Sequence, residues 1–100
     1  MSNSLELPMI RDVLHRELPH LAAEYGVASL ALFGSYVRGD QRPDSDLDVL
    51  VTFTKLPGLI RFVELESELS DLLGVQVDLV LRDALKPHIA ETVLESAIAV

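Results

Sequence analysis

The sequence contains no cysteine, so neither a disulfide framework nor a thiolate metal site can form, and cysteine usage says nothing about compartment. Basic residues are scarce: eight Lys and Arg stand against sixteen Asp and Glu, a formal net charge of −8. A field of that sign repels phosphate backbones, so no direct nucleic-acid partner is expected. No apolar stretch approaches the roughly 18 residues of a membrane span. The stretch MSNSLELPMIRD lacks the basic, apolar, small-residue order of a secretion signal. The expectation is a cytoplasmic protein that meets no membrane. Repeats, linkers and low-complexity tracts are also missing.

What remains is a chain of 100 residues, 49% apolar and 24% charged. That is the balance of a folded protein with a true core, and the length suits one domain spanning 1–100. Leu7, Ile10, Val13, Leu14 and Leu18 recur at helical spacing, and Pro19 is placed to open a second short turn running to Glu24. VASLALF, Val27 to Phe33, is apolar almost throughout and reads as a strand buried on both faces. LDVLVTF, Leu47 to Phe53, and VQVDLVL, Val75 to Leu81, alternate as strands do. Between them, from Pro57 to Leu73, Leu59, Phe62, Leu65, Leu69 and Leu72 mark an amphipathic helix with Gly74 as its cap. Pro87 starts a last helix with an apolar stripe of Ile89, Ala90, Val93, Leu94, Ala97 and Ile98. Phe33, Phe53 and Phe62 read as core. The fold class is α/β (α+β): a small three-stranded sheet with helices, in which a right-handed parallel crossover seats the second and third strands side by side.

Chemistry gathers in LFGSYVRGDQRPDSDLDVLV, residues 32–51. Asp44, Asp46 and Asp48 repel one another, so the cluster needs a cation, a basic partner or open water. Asp46 and Asp48, two apart, leave the same strand face, and Asp78 can join them from the neighbouring parallel strand. Three converging carboxylates make a hard-oxygen site that suits Mg²⁺ or Mn²⁺ and leaves positions for phosphate oxygens and water. A calcium-binding EF-hand loop starting at Asp44 would need Gly and Glu where Val49 and Lys55 stand, which disfavours it. Upstream, Gly34 and Ser35 follow a strand and open a short helix whose free N–H groups and hydroxyl can hold phosphate, with Arg38 one turn on. A phosphate cradle joined to a metal site fits metal-assisted phosphoryl or nucleotidyl transfer. Taken singly, an Asp-rich turn is more often a solvated loop. His15, His20 and His88 lack ligand spacing and are assigned nothing, and Glu64, Glu66 and Glu68 read as a solvated helix face.

Gly34-Ser35, ten residues, then Asp46-x-Asp48 resembles the signature of nucleotidyltransferases with the DNA polymerase beta-like fold. VDLV at 77–80 resembles the strand carrying their third carboxylate. Tyr25-Gly26-Val27, PDSDLDVLV, LLGVQVDLV and ALKPHI are similar to segments of the minimal nucleotidyltransferase (MNT) family, antitoxins paired with HEPN-domain toxins. One departure is Val37, where the family usually has alanine. The resemblance implies a mixed sheet with the first strand antiparallel to the others. It also implies Asp46, Asp48 and Asp78 as catalytic metal carboxylates, with Asp78 orienting the acceptor and helping to deprotonate it. Gly34, Ser35 and Arg38 would bind ATP. The implied activity is transfer of AMP from ATP to a tyrosine of a cognate HEPN toxin, silencing it. Two alternatives stand beside it: transfer to a small molecule such as an aminoglycoside, and a non-catalytic antitoxin acting by occlusion.

Overall fold

The structure, a computed structural model, describes residues 6–40, 42 and 44–100. The first five residues of the N-terminal stretch and Pro43 of PDSDLDVLV lie outside the described residues. Helix α1 (Leu7–Tyr25) leads into strand β1 (Val27–Phe33), the single turn α2 (Ser35–Arg38) and strand β2 (Leu47–Phe53). Helix α3 (Leu59–Leu73), strand β3 (Val77–Leu81), a 3₁₀ turn (Arg82–Ala84), helix α4 (Pro87–Ser96) and strand β4 (Ile98–Ala99) follow. Among the described residues no helix is long and apolar enough to cross a membrane.

The sheet is mixed, as the resemblance implies, in the order β3-β2-β1-β4. β1 runs antiparallel to β2, and β2 runs parallel to β3. It has four strands rather than three, because the chain leaves α4 at Ala97 and Ile98 and Ala99 pair with Leu32 and Ala31 of β1. Two-residue pairing has no local pattern to announce it, so Ala97 and Ile98 read as more helix.

One face of the sheet packs against α1 and α3. Leu30 and Leu32 of β1, Leu47, Val49 and Val51 of β2, and Val77 and Leu79 of β3 meet Ile10, Leu14, Leu21, Leu65 and Leu69 in one core. The other face carries no continuous helical layer. β1 is therefore not buried on both faces: Ala28 and Ser29 are exposed and Ala31 is half-buried. Phe33 is likewise half-buried on that face, opposite Asp48 in register, while Phe53 and Phe62 pack on the core as a tilted pair 6.1 Å apart.

Three helix expectations change. α1 runs unbroken through Pro19, which lies on its exposed side, where water can solvate the His15 carbonyl that Pro19 leaves without a helical donor. α3 begins at Leu59 and buries Leu65, Leu69 and Leu73 with Phe62 half-buried, whereas Leu59 is 79% and Leu72 39% exposed. At about 100° per residue, Leu59 and Leu72 lie roughly 80° and 60° off the middle of that stripe. α4 buries none of its side chains fully: Ala90 and Val93 are half-buried, Ile89 and Leu94 more exposed.

Glu66 and Glu68 also depart from a solvated face. Glu66 accepts a hydrogen bond from the Leu79 amide at 2.8 Å, and the Ser70 hydroxyl accepts one from the Val77 amide at 3.0 Å. These side chains cap outward amides of edge strand β3, which protects it from pairing with another strand. Glu68 receives the Tyr25 hydroxyl at 2.9 Å and lies 3.2 Å from His20 Nε2, tying α3 to α1. Arg61 lies over the Tyr25 ring, 4.4 Å from its centroid, and pairs with Glu24 and Glu64.

Candidate active site

Strand register builds the site. Asp48 of β2 and Asp78 of β3 are direct neighbours across the parallel ladder, so their side chains leave the open face from backbones about 4.8 Å apart. Asp46 sits one residue before β2 and is exposed, as is Asp78, while Asp48 is half-buried. The run into β2 is set by reciprocal bonds, Arg42 N–H to Ser45 Oγ at 2.7 Å and Ser45 N–H to Arg42 O at 2.9 Å. Asp44 stays exposed in that turn.

On the other flank of Asp48 lies Gly34, with φ 82° and ψ −152°, a conformation that effectively only glycine adopts. A Cβ on Gly34 would collide with Asp48 Oδ2. The backbone where β1 hands over to α2 thus lies directly against the Asp48 carboxylate. Tyr36 is buried and Val37 packs against the core, which accommodates the larger residue at the usual alanine position. Ser35 is left half-buried and Arg38 exposed. Arg38 Nε is 3.3 Å from Asp40 Oδ2, a surface pair that holds the guanidinium only weakly.

Electrostatics link these groups. The Asp48 carboxyl is pushed above the usual carboxylate range, first by burial and then by the like charges of Asp78 and Asp46, with Arg38 pulling the other way. Repulsion among three carboxylates is the strain a divalent cation relieves, and an all-oxygen donor set suits Mg²⁺ or Mn²⁺. Yet no three His, Asp or Glu side chains among the described residues are gathered closely enough to hold a metal ion as they stand. In donor chemistry the residues fit such an ion, since all three offer carboxylate oxygens.

All six residues singled out in the sequence therefore flank one end of the open face. Two features were not legible beforehand. One is the contact of Gly34 with Asp48. The other is a cavity farther along the same face, lined by Leu50, Thr52, Ser29 and Arg82 among others; the alternation Asp48, Leu50, Thr52 placed two of these, but the β1 register needed for the rest is not local.

A family model for the nucleotidyltransferase domain matches residues 11–100. The chain is 45% identical over 96 residues to the protein adenylyltransferase MntA of Thermococcus cleftensis, covering 96% of this chain and 97% of that one. It is 46% identical over 92 residues to a Methanocaldococcus jannaschii protein assigned as a protein adenylyltransferase, covering 91% and 94%. A solved structure assigned as a minimal nucleotidyltransferase superposes with a TM-score of 0.79 at 36% identity, over 99% of this chain and 100% of that one. A solved toxin–antitoxin structure with AMP-PNP gives a TM-score of 0.68 at 26% identity, over 95% and 72%. With Gly34 set against Asp48 and Asp78 beside Asp48 across the ladder, this chain belongs to the nucleotidyltransferase domain family.

Proposed function

We propose that this chain is a protein adenylyltransferase that moves AMP from ATP to a tyrosine hydroxyl of a HEPN-domain toxin and so neutralises it. The observation that carries the reading is the placement of Asp48 and Asp78 side by side with the Gly34 backbone against Asp48. The adenylyltransferase relatives matched over nearly their full length, and the toxin–antitoxin neighbour with AMP-PNP, support the donor and the kind of acceptor.

Gly34 and Ser35 hold the departing phosphates with backbone amides and a hydroxyl, and Arg38 leaves Asp40 to neutralise them. A divalent cation held by Asp46, Asp48 and Asp78 would neutralise charge on the α-phosphate and on pyrophosphate. Asp78 orients the acceptor hydroxyl and draws its proton as the oxygen attacks. One O–Pα bond forms, the bond from Pα to the bridging oxygen breaks, pyrophosphate leaves with that oxygen, and the proton passes through Asp78 to water. The protein's main contribution is alignment.

The test incubates the chain with Mg²⁺ and ATP, with and without a purified HEPN-domain toxin, and reads intact masses. Increments of one or more AMP units on a toxin tyrosine are expected, with little turnover when the toxin is left out. Adducts on an aminoglycoside with the toxin unmodified would replace this reading. A toxin neutralised without any adduct would leave occlusion as the mechanism.

A further inference from the structure

Among the described residues the three most exposed large apolar side chains, Leu59, Ile60 and Leu56, fall within positions 56–60, and Val63 follows one helical turn on at 53% exposure. Single exposed apolar residues are ordinary, but a cluster of them marks a contact surface. At about 100° per residue, Leu59, Val63 and Ile60 lie roughly 20°, 60° and 120° around α3 from Glu66, on the side away from the core. Asp71 and Glu64, both exposed, follow at roughly 140° and 160°. The patch is therefore an apolar ridge with an acidic border. α3 carries one cation, Arg61, against Glu64, Glu66, Glu68 and Asp71, and that cation is shared between Glu24 and Glu64.

Hydrogen bonds to β3 locate the ridge relative to the acidic pair. Glu66 bonds the Leu79 amide and Ser70 the Val77 amide, both on the outer edge of β3. This side of α3 therefore borders the same flank of the molecule as β3, the strand that carries Asp78. Helix and strand run in opposite directions, since Glu66 is level with Leu79 and Ser70 with Val77. Val63 and Leu59 stand three and seven residues before Glu66, and Asp78 one residue before Leu79. The ridge thus lies roughly 8–14 Å from Asp78 along the strand axis. One partner, covering roughly 800 Å² as ordinary interfaces do, reaches both.

With the Val77 and Leu79 amides already bonded, strand addition at those positions is blocked, so a partner packs on this flank through side chains, as helix does against helix. A second copy of this chain would set a net charge of −8 against −8. A partner helix with an apolar stripe and Lys or Arg beside it matches both the ridge and its acidic border. Resting on the toxin partnership proposed above, we infer that Leu59, Ile60 and Val63 form a docking ridge for a basic amphipathic helix of the toxin, separate from the site that modifies it. Contact on the ridge is equal in the ground state and the transition state, so it lowers KM for the toxin and leaves kcat unchanged. It also holds the toxin when ATP is absent.

The test measures calorimetric Kd for a purified HEPN-domain toxin without ATP, and kcat and KM for AMP transfer with Mg²⁺ and ATP. The samples are the parent, the double variant Ile60→Ser with Val63→Ser, and Asp71→Lys, all at exposed positions. The double variant should raise Kd and KM at least about tenfold, with kcat, apo Tm and the ATP-dependent rise in Tm near the parent's. Asp71→Lys should raise Kd several-fold at low salt and less at high salt, and it keeps the test decisive if the double variant does not fold. Variants with the parent's Kd, or a loss confined to kcat, would overturn the ridge. So would a parent that sediments as a dimer and a double variant that sediments as a monomer, which would give the ridge to a second copy. A parent that binds the toxin without labelling it defeats the adenylyltransferase reading, while the Kd comparison still decides the ridge.

Discussion

The two faces of the sheet are made by the same strands and do opposite work. On the covered face Leu47, Val49 and Val51 are fully buried against α1 and α3. One residue out of phase along β2, Asp48 is half-buried beside a second carboxylate, with its charge disfavoured by burial and by Asp78 and Asp46. A period of two thus lets one strand carry stability on one side and a destabilising charge cluster on the other. The covered face needs only apolar volume in the right phase. The open face needs particular groups at particular positions, and Gly34 shows how narrow that demand is.

The sharpest way to break the comparison is to change the two faces separately. Asp48→Asn on the open face should lower AMP transfer about 10³-fold, roughly 4 kcal/mol of transition-state stabilisation. The apo fold should be equally stable or slightly more so, since a repelling charge is removed. Transfer rates with thermal melts of the apo protein would read both, and a variant that melts well below the parent would contradict the division of labour. Leu69→Ala on α3, at a fully buried position of the covered side, should do the reverse. Its cavity should cost about 2–5 kcal/mol, lowering Tm by at least about 10 °C, while turnover of the remaining folded protein stays near the parent's.

How much of this was legible in the sequence follows the same division. That Gly34, Ser35, Asp46, Asp48 and Asp78 share one end of the open face could be read because strand phase and motif spacing are local, and a parallel crossover through α3 seats β3 beside β2. Elements that depend on distant partners were not legible. Strand β4 exists through its pairing with Ala31 and Leu32, and Arg11 donates to the Ala99 carbonyl at 2.9 Å across 88 residues. Leu59 and Leu72 belong to a plausible apolar spacing, but which arc of a helix is covered is settled by what packs against it. Glu66 looked like one more solvated acid because its partner, the Leu79 amide, is 13 residues away.

That amide offers a smaller test, at the boundary between the faces. Glu66→Ala leaves the outward Leu79 N–H without its carboxylate acceptor, which should cost about 1–3 kcal/mol and open the β3 edge to pairing. Glu66→Gln retains an acceptor oxygen and should lose less. Chemical denaturation and light scattering near the melt would separate the two. Equal stability and equal scattering for Glu66→Ala and the parent would mean the cap contributes nothing.

The smallest expected effects are in pH dependence, and the two layers should respond at opposite ends of the scale. In the open face the folded-state pKa of Asp48 is raised above its ordinary value. Folding then favours its protonated form, a contribution fully present below the ordinary carboxylate pKa and lost as pH rises through the raised one. The apo parent should therefore gain stability relative to Asp48→Asn as pH falls from neutral toward about 4. Between α1 and α3, the Tyr25 phenol is also raised above 10.0, by burial and then by its bond to Glu68 and that residue's charge. Its contribution is constant through neutral pH and is lost as pH climbs above about 10 through the folded value. Tyr25→Phe keeps the ring and removes the titration, so the parent's advantage over it should shrink only in that alkaline range. Melts of parent, Asp48→Asn and Tyr25→Phe across pH give both differences from one set of samples. A parent-minus-variant difference that stays flat in acid for Asp48, or flat in alkali for Tyr25, would show that the corresponding proton is not linked to folding.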